Sequence, residues 1–276
     1  MGLVAKDDGW RVSDALWARM EPLLPAGKRH PLGCHNPRVP DRSAMNAILF
    51  VLRTGCQWNA LNATGICTSS SAHRRFQEWT KVGVFREFWK RGLLKYDSLK
   101  GIDWKWLALD GAMTKAPLGG EKSGCNPTDR AKLGTKRSTL TDAKGIPLSI
   151  IVDGANRHDM KLTRKTLESL EIKRPQPTKQ HEQNLCLDKG YDFSEVRQLV
   201  QTFGYTAHIR CRGEEARTIA KSSKHKARRW VVERTHSWLN RFRRILIRWE
   251  KHAENYIAML HLACGIITWR ATGLLR

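Results

Sequence analysis

Two short apolar segments, each ending in an aspartate, constrain what this chain can fold into. Residues Leu107–Gly111 and Leu185–Asp188 share one design, an apolar run of strand length that leads to a single carboxylate. Such runs are typical of strands buried inside a sheet. If both strands belong to one sheet, Asp110 and Asp188 lie side by side at its edge. Two carboxylates in that position predict a site for a hard divalent cation, Mg²⁺ or Mn²⁺.

The pattern around these segments predicts the element order of an α/β domain. Five apolar segments are predicted as strands, at residues 106–110, 136–142, 147–153, 184–188 and 206–210. Two amphipathic segments are predicted as helices, at residues 159–170 and 194–203. This is the order of a ribonuclease-H-like mixed five-stranded sheet with flanking helices. The first and fourth strands of that fold are neighbours, so we expect Asp110 and Asp188 to share one site.

The N-terminal residues have helical rather than strand periodicity. Apolar residues recur three and four positions apart in four segments, which begin near Ser13, Ser43, Ser69 and Val84. Short helices with tight turns, one of them rich in arginine, indicate a helix-turn-helix-like module that reads DNA. The alternative is a helical lobe that only packs on the main domain. We predict an all-helical DNA-binding module over 1–95 and a catalytic domain over 96–276.

A third acid is expected on the helix after the fifth strand. Glu233 is the only acid between residues 226 and 240, on a polar face that also holds Lys226, Arg229, Ser237 and Asn240. The apolar face of this helix is predicted to extend to residue 249. Pairing of Glu233 with Arg229 one turn earlier is the structural alternative. The position of Glu233 after the two aspartate strands favours the metal site, and its carboxylate would complete a set of three ligands.

The charge of the chain indicates a polyanionic partner. Its 49 lysines and arginines against 26 acids give a formal net charge of +23, and nucleic acid is the expected partner. Residues 212–250 alone hold 12 lysines and arginines and 4 acids, next to the third predicted ligand. The candidate DNA contacts are Arg74, Arg75, Lys136, Arg137, Lys226, Arg229, Arg234, Arg241 and Arg244.

Other features exclude competing classes or define supporting residues. No segment reaches the roughly 18 consecutive apolar residues of a membrane span, and no export signal is visible, so a cytoplasmic, nucleoid-associated protein is expected. The seven cysteines include no CxxC pair, which favours a reducing compartment. His158 is a candidate to support the metal ligands indirectly, without binding the metal itself. Asp142, Asp153 and Asp192 stand in turn-like contexts and are predicted to cap turns.

Several ordered motifs resemble the DDE transposases of bacterial insertion sequences, specifically the insertion sequence five family. They stand at residues 52–58, 109–111, 134–137, 155–159, 188–192 and 229–235. The resemblance implies that Asp110, Asp188 and Glu233 form the DDE triad of catalytic metal ligands. In the related Y-R-E-K signature this chain keeps Arg229 and Glu233, but it has Lys226 and Asn240 at the outer positions.

The implied activity is metal-dependent cleavage of double-stranded DNA at the terminal inverted repeats, followed by transfer of the freed 3′ end into target DNA. Two Mg²⁺ or Mn²⁺ ions can activate a water and stabilise the leaving oxygen of such an in-line displacement. A homodimer or larger assembly on paired ends is expected. Two alternatives stay open: a nuclease of the same fold that cuts without joining, and a transposase-derived regulator that binds DNA without catalysis.

Overall fold

Four helices form the N-terminal part of the molecule in the computed structural model, which describes residues 10–27, 38–209 and 230–275. Their bounds are α1 (Asp14–Met20), α2 (Asp41–Thr54), α3 (Ser69–Lys81) and α4 (Val84–Lys100). Ser13 caps α1 by accepting a hydrogen bond from the amide of Leu16, and Gly55 ends α2 with a φ of 73°. The tight turn of the module is the Val82-Gly83 pair between α3 and α4, whereas a longer connection with a short 3-10 helix (Trp58–Ala63) joins α2 to α3.

A mixed sheet forms the centre of the molecule. Its strands are β1 (Trp106–Lys115), β2 (Gly124–Cys125), β3 (Leu133–Asp142), β4 (Pro147–Gly154), β5 (Asn184–Leu187) and β6 (Thr206–Ile209). Strand β3 pairs antiparallel with β1, β2 and β4, while β1 pairs parallel with β5, and β5 with β6. Apart from the two-residue β2, the order β4-β3-β1-β5-β6 is the predicted ribonuclease-H-like arrangement, with the first and fourth long strands adjacent.

Helices cover both faces of this sheet. They are α5 (Asp159–Glu168), α6 (Ser194–Thr202), α7 (Trp230–Asn240), α8 (Arg243–Leu246) and α9 (Ala253–Ala271). Ser138 of β3 accepts a hydrogen bond from Thr166 of α5, and the preceding residue, Arg137, donates one to Asn240 of α7. Because successive residues of a strand point to opposite faces, α5 and α7 lie on opposite sides of the sheet.

The C-terminal helix α9 joins the helical part to the sheet. Gly265 lets the ring of Phe88 approach so closely that a β-carbon at 265 would stand 2.4 Å from it. Trp269 stacks on Phe88 and donates an indole hydrogen bond to its carbonyl at 3.1 Å. One apolar core therefore runs through the helical part and the sheet. The predicted boundary at residue 95 falls inside α4, so the helical part extends to residue 100.

Two predicted elements differ from the observed ones by five residues or more. Strand β1 continues five residues past Asp110, because its antiparallel partner β3 is long enough to pair with it up to Lys115. The helix that carries Glu233 ends at Asn240 instead of continuing to residue 249, and Trp249 is 39 % exposed. Among the described helices, none combines the length and the apolar composition that crossing a bilayer requires.

Candidate active site

The register of the two central strands brings Asp110 and Asp188 together. Strands β1 and β5 pair Ala108 with Cys186, and two residues further along that register stand Asp110 and Asp188. Asp110 was expected at the end of its strand, but it lies in the middle of β1. The site opens there because β5 stops at Leu187 and leaves the flank of β1 uncovered. The backbone amide of Gly190 donates to Asp188 Oδ1 at 2.9 Å, which fixes the turn after β5.

Helix α7 brings Glu233 to the same region. Val232 packs on Ala108 and Cys186 in a small buried cluster, so the helix crosses β1 and β5 just before their aspartates. Glu233 is exposed, and its charge is among those that act on Asp110. Within the ranges that the structure describes, no three acidic, histidine or cysteine side chains converge closely enough to enclose a metal ion as they are placed. The acids share a region rather than a closed coordination shell.

The electrostatics of Asp110 show how much negative charge gathers here. Burial is the main cause that raises the pKa of Asp110 to about 7; the charges of Asp188, Asp159 and Glu233 add to this rise, and the hydrogen bond from the Gly111 amide opposes it. A cation placed among these carboxylates would favour their ionised forms. The acids are therefore electrostatically coupled, and their arrangement suits a bound positive ion.

Asp159 is a fourth acid near Asp110, where the sequence pattern predicted only the start of a helix. Lys136 donates to Asp159 Oδ2 at 3.0 Å and to the carbonyl of Arg157 at 2.8 Å. The other oxygen, Oδ1, lies so close to Gly111 that a β-carbon there would stand 2.2 Å from it. The glycine directly after Asp110 is the sequence signal for this contact. Lys136 was predicted to contact DNA, but it is buried and bound to Asp159.

His236 is a second residue that the sequence reasoning missed. It lies one turn after Glu233 on α7, and its Nε2 is 3.8 Å from Asp110 Oδ2. Burial, together with the nearby positive charge of Arg137, lowers the pKa of His236 to about 3, against the raising effect of the Asp110 backbone. The ring is therefore neutral at physiological pH. Its spacing of three residues from Glu233 was the available signal, because such residues share one helix face.

Two arginines that were predicted to contact DNA belong to internal ion pairs. Arg75 is 5 % exposed and lies between Asp41 and Glu78, with N to O distances of 3.0 and 3.1 Å. Arg244 is 6 % exposed and pairs with Glu250 at 2.6 Å. Each buried guanidinium is paired with carboxylates of the same chain, so in this conformation both arginines stabilise the fold instead of facing solvent.

The other candidate DNA contacts divide by exposure. Arg137 is buried between β3 and α7, so it too is unavailable to DNA in this conformation. Arg74 on α3 and Arg241 after α7 are exposed. Lys226 and Arg229 lie outside the described residues. Arg74 and Arg241 are therefore the best-placed cations of the predicted set.

Arg234 is half-buried within an aromatic stack. Its guanidinium lies 4.5 Å from the ring centre of Trp230 and 4.8 Å from that of Trp238, and it donates to the carbonyl of Lys144. These contacts hold the arginine on the helix that carries Glu233. One end of the stack remains open, because Trp230 is 44 % exposed.

The predicted turn and supporting residues stabilise local backbone structure. Asp142 accepts hydrogen bonds from the amides of Lys144 and Ile146, which confirms its role in the turn between β3 and β4. His158 caps α5 by accepting from the amide of Met160, and its ring packs edge-on against Phe193. His158 therefore supports the start of α5, whose first residue is Asp159.

The fold and these carboxylates together define the class of the protein. A ribonuclease-H-like sheet that gathers acids beside its two central parallel strands is the framework of enzymes that act on nucleic-acid phosphodiesters with divalent cations.

Comparison with known proteins narrows this class. Residues 12–89 match the family described as "Putative transposase of IS4/5 family", and residues 105–267 match the "Transposase DDE domain" family. Since the second match covers more than half of the chain, the protein belongs to the DDE transposase family. It is a DNA transposase of the insertion-sequence type.

Individual relatives agree with this assignment. The chain is 38 % identical over 155 residues to the "Putative transposase for insertion sequence element IS402" of Burkholderia cepacia, over 55 % of this chain and 70 % of the relative. It is 37 % identical over 120 residues to the "Insertion element IS402 uncharacterized 16.2 kDa protein" of the same organism, over 42 % of this chain and 80 % of the relative.

Solved structures of Mos1 transposase are more distantly similar. A pre-cleavage Mos1 transpososome is 13 % identical, with a TM-score of 0.29 and coverage of 90 % of this chain and 82 % of that chain. The catalytic domain of Mos1 mariner transposase is 11 % identical, with a TM-score of 0.30 and coverage of 68 % and 92 %. The family assignment rests on the sequence matches, because TM-scores this low describe only a loose correspondence.

Proposed function

We propose that Asp110, Asp188 and Glu233 are the metal ligands and catalytic residues of this transposase, with two Mg²⁺ or Mn²⁺ ions per site. The observation that carries the proposal is the register of β1 and β5, which aligns Asp110 with Asp188. Val232 of α7 packs on both of these strands. Glu233 is the next residue on that helix. The elevated pKa of Asp110 supports the same grouping, since neighbouring carboxylates contribute to it.

The chemistry of the donor set fits these ions. All three side chains are carboxylates, whose hard oxygen donors suit Mg²⁺ and Mn²⁺. When bound, the ions would lower the pKa of a water and stabilise charge on the scissile phosphate. The contribution of the chain is to hold the carboxylates together: Asp110 on a strand paired through most of its length, Asp188 at a turn tied by Gly190, and Glu233 on a helix anchored by Val232.

Double-stranded DNA is the substrate that we assign, with the element's terminal inverted repeats and a target duplex as its two forms. The helical part, with the exposed Arg74 on α3, would select the ends. Arg241, just after the helix of Glu233, would hold phosphates near the carboxylates. Because transposition joins two ends, we propose that a homodimer or larger assembly performs it. The shared apolar core means that the helical and catalytic parts act as one unit.

The test is to replace each proposed ligand with alanine and measure Mg²⁺-dependent cleavage of DNA that carries the element's ends. Asp110→Ala, Asp188→Ala and Glu233→Ala should each reduce cleavage and strand transfer by several orders of magnitude, because the ions lose a ligand. DNA affinity should persist, because cations make the phosphate contacts. Asp192→Ala is the matched control, since Asp192 is an exposed aspartate near Asp188 in sequence that forms a surface ion pair with Arg197.

A Glu233→Ala protein that cleaves at the wild-type rate would remove Glu233 from the proposed ligand set. An Asp192→Ala protein as inactive as Asp188→Ala would contradict the assignment of Asp188, rather than Asp192, as the second ligand. Joining is measured separately, by supplying pre-cleaved ends and a target plasmid. Failure to join while hydrolysis proceeds would identify a nuclease rather than a transposase activity.

A further inference from the structure

A buried polar cluster lies between the sheet and helix α7, behind the acids. It consists of Arg137 on β3 with His236 and Asn240 on α7. Arg137 is 1 % exposed, and its Nη2 donates to Asn240 Oδ1 at 2.9 Å. Within the described part of the chain, its Nε and Nη1 and both ring nitrogens of His236 have no hydrogen-bond partner. Buried polar atoms without partners are destabilising, so packing alone does not account for the cluster.

The position of the cluster connects two of the proposed ligands. Arg137 stands opposite Ala112 of β1, two residues after Asp110 and therefore on the same face of the sheet. His236 and Asn240 are four residues apart and share one face of α7. Glu233 begins the preceding turn of the same helix. The cluster thus lies where the strand of Asp110 meets the helix of Glu233.

His236 is the member that reaches the acids. Its Nε2 is 3.8 Å from Asp110 Oδ2, which is longer than a hydrogen bond but within reach of a small rotation of the carboxylate. Hydrogen bonds of this kind are often long before a site is loaded and shorten afterwards. A donor on one carboxylate oxygen would leave the other oxygen directed away from it.

We propose that His236 is a positioning residue for Asp110, which it orients through Nε2, and that the Arg137–Asn240 hydrogen bond holds the helix so that the imidazole stays in place. The proposal rests on the assignment of Asp110 as a metal ligand. Side chains that orient metal ligands in this way change metal affinity by about 10- to 100-fold when they are removed.

The experiment measures Mn²⁺ binding to the full chain by calorimetry in the absence of DNA, together with thermal unfolding. His236→Leu removes the donor at similar volume, and His236→Gln keeps an amide donor at a similar reach. Asn240→Leu removes the acceptor of Arg137. Ser237→Ala is the control, because Ser237 is exposed on the same helix.

We expect His236→Leu to weaken Mn²⁺ binding by about 10- to 100-fold, His236→Gln to restore most of it, and Asn240→Leu to weaken it in the same direction. Wild-type affinity in a folded His236→Leu protein would overturn the proposal, as would a His236→Gln protein as weak as His236→Leu. If His236→Leu does not fold, the other two variants decide: wild-type affinity in Asn240→Leu, or weak binding in His236→Gln, overturns it.

Asp110→Asn separates this inference from the proposed function on which it rests. If Asp110→Asn binds Mn²⁺ as the wild type does, the metal-site assignment itself fails. If Asp110→Asn loses binding while His236→Leu keeps it, only the positioning role of His236 fails.

Discussion

Replacing Asp110 with asparagine should make the metal-free protein more stable while it removes activity. In the folded chain, burial and neighbouring carboxylates raise the pKa of Asp110 from 3.8 to about 7. Between these values the folded state binds more protons than the unfolded state, so the stability of the wild type falls as pH rises through this window. Asparagine has nearly the same shape and no charge, and it avoids this loss.

The size of the effect follows from the pKa difference. A folded-state pKa that is higher by about 3 corresponds to roughly 4 kcal/mol at pH 8, where the folded carboxyl is mostly ionised. The side chain is 28 % exposed, and solvent screening reduces the figure. We therefore expect Asp110→Asn to gain about 2–4 kcal/mol at pH 8, and less than half of that at pH 5, where the wild-type carboxyl is protonated.

Chemical denaturation at pH 5 and pH 8 in the presence of a chelator measures this difference. Asp192→Asn is the matched control, because that exposed carboxylate pairs with Arg197 and its replacement should give no gain. Added Mn²⁺ should stabilise the wild type more than Asp110→Asn. The reasoning is refuted if Asp110→Asn is no more stable than the wild type at pH 8, or if its advantage is the same at pH 5.

Three further predictions concern DNA binding and the acid cluster. DNA affinity should fall by roughly 10³-fold or more between 50 and 200 mM salt if six or more phosphates are contacted, and a flat salt profile in a binding assay would contradict this. Arg74→Ala should weaken DNA affinity and leave the melting temperature unchanged, whereas Arg75→Ala should lower the melting temperature, because it removes a buried guanidinium that pairs with both Asp41 and Glu78; the opposite pattern would reverse the two assignments. Gly111→Ala should reduce cleavage strongly, because its β-carbon would meet Asp159 Oδ1 at 2.2 Å, and normal cleavage would show that the contact is not needed.

Local sequence patterns determined most of the secondary structure and the order of the strands. The apolar runs before Asp110 and Asp188 have the length and composition of buried strands, and a carboxylate at the end of each run marks where burial stops. Helical periodicity and capping residues such as Ser13 and Gly55 fixed the helices in the same way, because these signals act within a few residues. All three proposed ligands were therefore predicted from the sequence alone.

The tertiary structure decided which charged side chains face solvent and which lie inside. The sequence predicted DNA contacts for Arg75, Arg137 and Arg244, because arginines are typical of DNA-binding surfaces. In the structure, each of them binds a side chain outside its own helix or strand. These partners are Asp41, Asn240 and Glu250, respectively. Periodicity cannot foresee such pairs, because a cation on a polar stripe is buried or exposed according to what packs over it.

The same limit applies to the acid cluster. Asp159 reaches the site only because α5 returns to β1 at Gly111, and His236 reaches Asp110 only because Val232 seats α7 across β1 and β5. The sequence determined which acids this protein has at the ends of its apolar runs. Packing between distant elements decided which other groups surround them, since those distances depend on the whole fold rather than on local periodicity.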